Sequence, residues 1–258
     1  MAQSYLKINS RLARRIRLVM TDVDGTMTAG DGAISPLAAD AIGRLEAQGV
    51  TVGLVSGRNM SRLELFAGHL GISGPLVGEN GGVAKMSLSS GEPLELGYSQ
   101  LPAVKALEKL KGCFPDGIEE RDWNKDRAVD VVFRLHGVDV ETAKKCLVAV
   151  DLLDSGFVLH LVQKGVNKGA TLLRVLEKIG GGDLSPDQVL VLGDSGTDMS
   201  LFQAFRNSVL IPNPGLPAEL TETLRGAASY ESAVPFGDGF AQVVYHILDA
   251  RLEGAAQP

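Results

Sequence analysis

Short apolar runs that end in turns of small and acidic residues recur along this 258-residue chain, and they alternate with stretches of helical periodicity. That alternation narrows the fold more than any other feature. Strands separated by helices pair in parallel, and an open sheet with helices on both faces is the compact way to connect them. Residues 16–21 read as the first buried strand. Ser35-Pro36 supplies an N-cap followed by proline at the first helical position, and the helix runs through LAADAIGRLEAQ to a left-handed cap at Gly49. A strand follows at 50–56 (VTVGLVS), then a helix over 60–70 ended by Gly71, then a third strand at 75–80 (PLVGEN). The rhythm returns late in the chain. Helices are expected at 168–179, 199–205 and 240–252, strands at 188–193 and 208–211, and a frayed tail at 254–258. The expected architecture is therefore a doubly wound α/β core with a Rossmann-like parallel sheet.

The middle breaks this rhythm. After a hairpin-like start, the pattern reads helix 101–110, strand 118–123, strand 128–135, helix 140–153 and strand 157–162. Two adjacent strands between helices suggest a small α+β unit inserted into the parallel sheet. The expected division is a core of residues 1–85 and 161–258 with an insertion at 86–160.

Composition excludes several classes. Lys and Arg total 25 against 31 Asp and Glu, so the net charge is −6, which opposes general binding to nucleic acid or an anionic membrane. Aromatic residues make up only 5%, too few for base-stacking platforms. No apolar run approaches the ~20 residues of a membrane-spanning helix. The start, MAQSYLKINSRLARRIRLVM, carries arginines at 11, 14, 15 and 17 without the apolar core of a secretory signal. It reads as a solvated lead-in to the first strand, and the expected location is cytoplasmic. Cys113 and Cys146 form neither a disulfide framework nor a Cys-x-x-Cys zinc pair.

The chemistry begins at VMTDVDGTMTAGDG (19–32). Ligands of an open parallel sheet bind beyond the carboxyl ends of its strands. Alternation of an extended chain sends Asp22 and Asp24 to the same side, where their repulsion must be relieved by a hard divalent cation or by a proton. Gly25 permits a tight turn and Thr26 offers a hydroxyl. VSGR (55–58) places Ser56 and Gly57 at a strand-to-helix turn whose N–H groups can hold an anion. VNKG (166–169) puts Lys168 at a helix start, against the helix dipole, unless an anion lies beside it. VLVLGDSGTDMSLF (189–202) again sets an acid, Asp194, after an apolar strand, with Asp198 four residues on.

Together and in this order, Asp22-x-Asp24-Gly25-Thr26, Ser56, Lys168 and Gly193-Asp194 with Asp198 resemble the haloacid dehalogenase superfamily of phosphotransferases. The resemblance implies that Asp22 is the nucleophile forming an aspartyl-phosphate and that Asp24 is the general acid and base. It implies that Lys168 neutralises charge, that Thr26, Ser56 and Gly57 serve substrate or phosphate binding, and that the cofactor is Mg²⁺. The metal would be held by Asp22, the Asp24 carbonyl, Asp194 and Asp198, the last directly, through water, or by positioning Lys168.

The position of the insertion resembles the type-IIB, Cof-like subgroup. SGPLVGENGGV, ERDWNKDRAVDVVF, FVLHLVQKGVNKG and GDSGTDMSLFQ are most similar to its archaeal-type phosphoglycolate phosphatases. That likeness implies a small-molecule phosphomonoester substrate, phosphoglycolate or a related phosphorylated acid, hydrolysed with Mg²⁺. It adds Asn80 as a polar contact and Arg121 as a carboxylate grip within the basic segment 121–127. Such enzymes are ordinarily compatible with a homodimer.

Two positions depart from the subgroup: Thr197 stands where Asn is usual, and Arg58 where the phosphoglycolate-type members often carry Asn. The alternatives are a sugar-phosphate phosphatase of the sucrose-phosphate or mannosyl-3-phosphoglycerate type. Below these rank a phosphomannomutase and a non-catalytic binding protein. No G-x-G-x-x-G follows the first strand, so a dinucleotide fold is not expected. His69, His136 and His160 sit in apolar contexts without metal-ligand spacing and read as structural.

Overall fold

A computed structural model describes residues 1–28, 32–156, 158–179 and 184–253. The expected frayed tail at 254–258, and Phe157 at the start of an expected strand, lie outside the described residues. In chain order the elements begin with β1 (Gln3–Ser4), α1 (Ser10–Arg15), β2 (Leu18–Thr21), α2 (Pro36–Ala47), β3 (Thr51–Val55), α3 (Met60–Leu70), β4 (Leu76–Gly78) and β5 (Val83–Lys85). Next come α4 (Leu101–Cys113), β6 (Ile118–Glu120), β7 (Val131–Leu135), α5 (Val140–Lys145), β8 (Val150–Asp154) and β9 (Leu159–Gln163). The chain returns through α6 (Lys168–Lys178), β10 (Val189–Gly193), α7 (Met199–Ala204), β11 (Ser208–Leu210), α8 (Ala218–Ala227), β12 (Tyr230–Glu231) and α9 (Phe236–Glu253).

The main sheet runs β1-β12-β11-β10-β2-β3-β4-β5, parallel throughout except for β5 against β4. Its central strands are buried on both faces, as helices on either side require. One apolar cluster joins the sheet to α2, α3 and α9, and another joins its opposite face to α6, α7 and α8. Close packing makes one glycine obligatory: a Cβ on Gly53 would lie 2.5 Å from both Met20 Sδ and the Pro75 carbonyl oxygen. From β2 the chain steps to β3 on one side, and its later part adds β10 on the other. The carboxyl end of β2 is thus a switch point, the place where open α/β sheets bind ligands.

Between β5 and α6 lies the inserted α+β unit, an antiparallel sheet ordered β6-β7-β9-β8. Strand alternation divides its faces. Val131, Phe133, Leu159 and Leu161 pack with Ala103, Leu107 and Leu110 of α4, whereas Val132 and His160, a cross-strand pair, face the other way.

Several expectations change. The helix expected at 140–153 ends at Lys145, because Val150–Asp154 pairs with β9 over five residues instead. Trp123 falls in a 3-10 turn rather than in a strand. The lead-in to the first strand contains an Asn9-capped helix and an edge strand, both packed onto the core. α8 and the two-residue β12 stand beyond the elements expected from the sequence.

Glu79 ties the insertion to the main sheet. Its buried carboxylate accepts the N–H groups of Ala128, Val129 and Asp130 at 2.7–3.1 Å. Burial, with the Asp130 charge adding to it, raises its pKa, while the Ala128 and Asp130 N–H groups and the Arg127 charge oppose the shift. Glu79→Ala removes this acceptor. The expected result is a lower denaturation midpoint, at about 1–3 kcal/mol for each buried donor left unpaired. An unchanged midpoint would remove Glu79 from the account of how the two sheets are joined.

Candidate active site

Asp22 directly follows β2, and its N–H extends the ladder to the Leu192 carbonyl at 2.9 Å. One carboxylate oxygen, Oδ1, accepts the Val23 N–H at 2.7 Å, and the other, Oδ2, accepts Lys168 Nζ at 2.8 Å. Lys168 is 1% exposed and also donates to Asp198 Oδ1 at 2.7 Å. Asn167 caps α6 by accepting the Ala170 N–H, so the first residue of the helix projects its ammonium between two acids. Burial opposes the charged ammonium, but the Asp198 and Asp22 carboxylates outweigh it and raise the Lys168 pKa. Burial is also the largest influence on Asp22. With Lys168 opposing, and Asp198 and Asp24 adding to it, the Asp22 carboxyl is pushed up to about 7.

Asp194 directly follows β10, the strand beside β2. Its Oδ1 accepts the Thr26 hydroxyl and its Oδ2 the Asn213 amide, each at 2.7 Å. Burial, reinforced by Asp198 and Asp22, raises its pKa well above the usual carboxylate value. Asp198 is fully occupied: Oδ1 takes Lys168, while Oδ2 takes the N–H groups of Asp194 and Ser195, both at 3.0 Å. The carboxylate oxygens of Asp22, Asp194 and Asp198 lie within 4.8 Å of one another. Three buried hard-oxygen donors, two of them with raised pKa, suit a divalent cation. A Cβ on Gly25 would lie only 2.3 Å from Asp194 Oδ2, so the glycine keeps that space open.

Asp24 is farther out. Arg58 holds it bidentately, Nε to Oδ2 at 2.8 Å and Nη2 to Oδ1 at 2.5 Å, and stacks its guanidinium 5.0 Å from the Phe66 ring. A cavity of about 230 Å³ opens above these residues, lined by Asp22, Asp24, Ser56 and Gly57 on the sheet side and by Trp123 and His160 on the insertion side. Ser56 Oγ accepts the Arg58 N–H at 3.2 Å.

The structure brings Asp22, Asp24, Ser56, Gly57 and Asn80 to this one cavity, with Lys168, Asp194 and Asp198 packed beneath it. Two expected contacts are placed elsewhere. Thr26 is fully buried with its hydroxyl committed to Asp194, so it orients that acid and does not line the cavity. Arg121 pairs with Glu119 and stacks 4.9 Å from the Trp123 ring, outside the lining. The arginines that do line the cavity are Arg58, Arg62 and Arg127. Arg127 bonds Asp130 and the Gly57 carbonyl. His160, expected to be structural, also lines the cavity. Asn213 was missed, although it follows the apolar run 208–211 as Asp194 follows 189–193.

Comparison with known proteins agrees with this geometry. A family model for haloacid dehalogenase-like hydrolases matches residues 19–110 and 144–216. A phosphoglycolate phosphatase of Methanospirillum hungatei is 31% identical over 89% of this chain and 95% of its own length. One of Thermoplasma volcanium is 31% identical over 90% and 98%. Among solved structures, a Thermoplasma acidophilum protein superposes with a TM-score of 0.75 at 27% identity, covering 90% of this chain and 98% of that one. A HAD/COF-like hydrolase of Plasmodium vivax, at 18% identity, shares the fold with a TM-score of 0.73 over 95% and 98%. With that family match covering both segments of the core, and the acids and lysine gathered at its strand ends, the chain belongs to the haloacid dehalogenase-like hydrolase family.

Proposed function

We propose that the protein is a Mg²⁺-dependent phosphatase that hydrolyses a small phosphorylated acid, phosphoglycolate or a close analogue, through an aspartyl-phosphate. The observation that carries this reading is the buried ammonium of Lys168 bridging Asp22 and Asp198 under a cavity that Asp22 faces. A fixed cation beside a nucleophilic carboxylate is what phosphoryl transfer asks of a protein, since its catalysis is chiefly positioning and charge compensation.

In the first half-reaction an Asp22 carboxylate oxygen forms a bond to phosphorus as the bond from phosphorus to the leaving oxygen breaks, and Asp24 supplies a proton to that oxygen. In the second, Asp24 takes a proton from water as the water oxygen bonds phosphorus, and the bond to Asp22 breaks to restore its carboxylate. Asp24 must leave Arg58 to do either, so Arg58 is a positioning residue for it. Ser56 and the adjacent N–H groups would hold the phosphoryl oxygens. A divalent cation would be held by Asp22, Asp194 and the Asp24 carbonyl, with Asp198 acting through Lys168 and the 194–195 backbone. When bound, it would screen negative charge on the phosphoryl group.

Two observations favour a compact substrate. The cavity is smaller than the ~300–1,000 Å³ of clefts that take drug-sized ligands. The relatives at about 30% identity carry the name phosphoglycolate phosphatase. The test is phosphate release from phosphoglycolate, sucrose 6-phosphate, hexose phosphates and an aryl phosphate, with Mg²⁺ and with EDTA. The expected outcome is a preference for phosphoglycolate, abolished by EDTA and restored by Mg²⁺. A preference for a sugar phosphate would overturn the substrate assignment, and release undiminished by EDTA would overturn the metal.

A further inference from the structure

The wall formed jointly by the insertion and the 79–81 turn carries two polar side chains that the steps above do not use. Asn80 is 1% exposed, yet neither atom of its amide has a hydrogen-bond partner; among the described residues these are the buried side-chain polar atoms so left. An unpaired buried amide is costly, and Asn80 also sits at φ 56. Both costs point to a ligand that completes the site. His160 is 3% exposed, and its Nδ1 lies 2.7 Å from Asp130 Oδ2.

The imidazole is firmly built in. Asp130 is fully buried and takes Arg127 as well as His160, and its own N–H is held by Glu79. Burial works against its charge, but His160 and Arg127 together lower its pKa, so it stays an anion. An anionic Asp130 fixes the Nδ1–H of the ring, which leaves Nε2 as the nitrogen for the cavity. The two side chains converge: a Cβ on Gly57 would stand 3.2 Å from Asn80 Oδ1 and 3.2 Å from His160 Cε1. That point is one residue beyond Ser56, and both side chains line the cavity that Ser56 and Asp22 also line. Of the arginines lining the cavity, Arg58 is paired with Asp24 and Arg127 with Asp130, which leaves Arg62 as the lining guanidinium with no carboxylate bonded to it among the described residues.

We propose that His160, held by Asp130 and joined by the unpartnered Asn80 amide, is the specificity-determining contact for the carboxylate of the substrate. The inference rests on the reading that the substrate is a phosphorylated acid. Between the Asp130 carboxylate on Nδ1–H and a substrate carboxylate on Nε2–H the ring would bind as the imidazolium, and Nε2–H and Asn80 Nδ2–H would each donate to a carboxylate oxygen of the substrate. The short distance from Ser56 to this pair would admit only an acid whose carboxyl group lies close to its phosphate.

The experiment compares phosphoglycolate with its uncharged analogue 2-hydroxyethyl phosphate in the wild type and in His160→Gln. The expected result is that the ratio of kcat/KM for phosphoglycolate to that for the analogue falls by about tenfold or more, mainly through KM, as for loss of one hydrogen bond to a charged group. An unchanged ratio would overturn the role of His160 while leaving the substrate reading intact. A wild type that prefers the uncharged analogue would overturn the substrate reading, and this inference with it.

Because His160 is buried, a second measurement avoids replacing it. The chain has four histidines, so imidazole NMR signals are few. In Asp22→Asn protein, phosphoglycolate is expected to shift the His160 signal while inorganic phosphate leaves it in place. Equal shifts with both ligands, or none with phosphoglycolate, would overturn the proposal.

Discussion

Replacement of Asp22 by Asn is expected to reduce phosphate release by at least about 10³-fold, because the amide cannot form the aspartyl-phosphate on which both half-reactions depend. The fold is expected to survive. The amide oxygen can still accept the Val23 N–H, and Lys168 keeps its bond to Asp198. Asp22 is moreover a carboxylate whose charge burial disfavours, with its pKa pushed up to about 7, so removing the charge relieves a cost. The metal-free variant should therefore melt at or above the temperature of the parent. Phosphate release and thermal denaturation on the same preparation check both halves. Turnover at the parental rate would sink the covalent mechanism. Lost activity with a collapsed melting temperature would make Asp22 a structural residue first.

Lys168→Met carries the largest expected loss of stability. The ammonium is buried with Asp22 and Asp198 at 2.8 and 2.7 Å, and Asp194 lies in the same cluster. Without it, buried carboxylates face one another with no protein cation between them. Breaking such a pair from one side costs about 3–5 kcal/mol. Activity is expected to vanish as well, since no fixed positive charge then stands beside the phosphoryl group. Adding Asp198→Asn separates the two roles: the double variant should recover part of the stability and none of the activity, because one stranded charge is removed while the cation stays absent. Chemical denaturation and phosphate release would read the two columns of this cycle. A Met variant as stable as the parent would mean that the carboxylates are compensated by something other than Lys168.

The core of the site was legible because local rules place it. An apolar run buried on both faces forms a strand, a strand end in an open parallel sheet faces the ligand crevice, and Asp22, Ser56 and Asp194 each follow such a run. Lys168 was legible because a lysine at a helix start is mildly unfavourable without an anion beside it, and because it stands in order with the acids of the resembled family. Where local preference is weak, long-range partners decide. Val150–Asp154 carries enough leucine to continue α5 and becomes a strand only because β9 offers five partners. His160 looked structural because leucines flank it, yet those leucines turn to α4 and alternation sends the histidine to the opposite, cavity face.

By itself, then, the sequence determined the alternating core, the inserted unit and the identity of the acids and lysine, since each depends on residues near one another in the chain. The tertiary structure alone decided which partner each charged group takes. Arg121 meets Glu119 and not the cavity, Thr26 and Asn213 meet Asp194, and Arg58 meets Asp24. Three of these four pairings join residues 19, 34 and 168 positions apart. Their energy depends on burial and on distances of a few ångströms, which only the packing of the strand ends and the loops beside them sets.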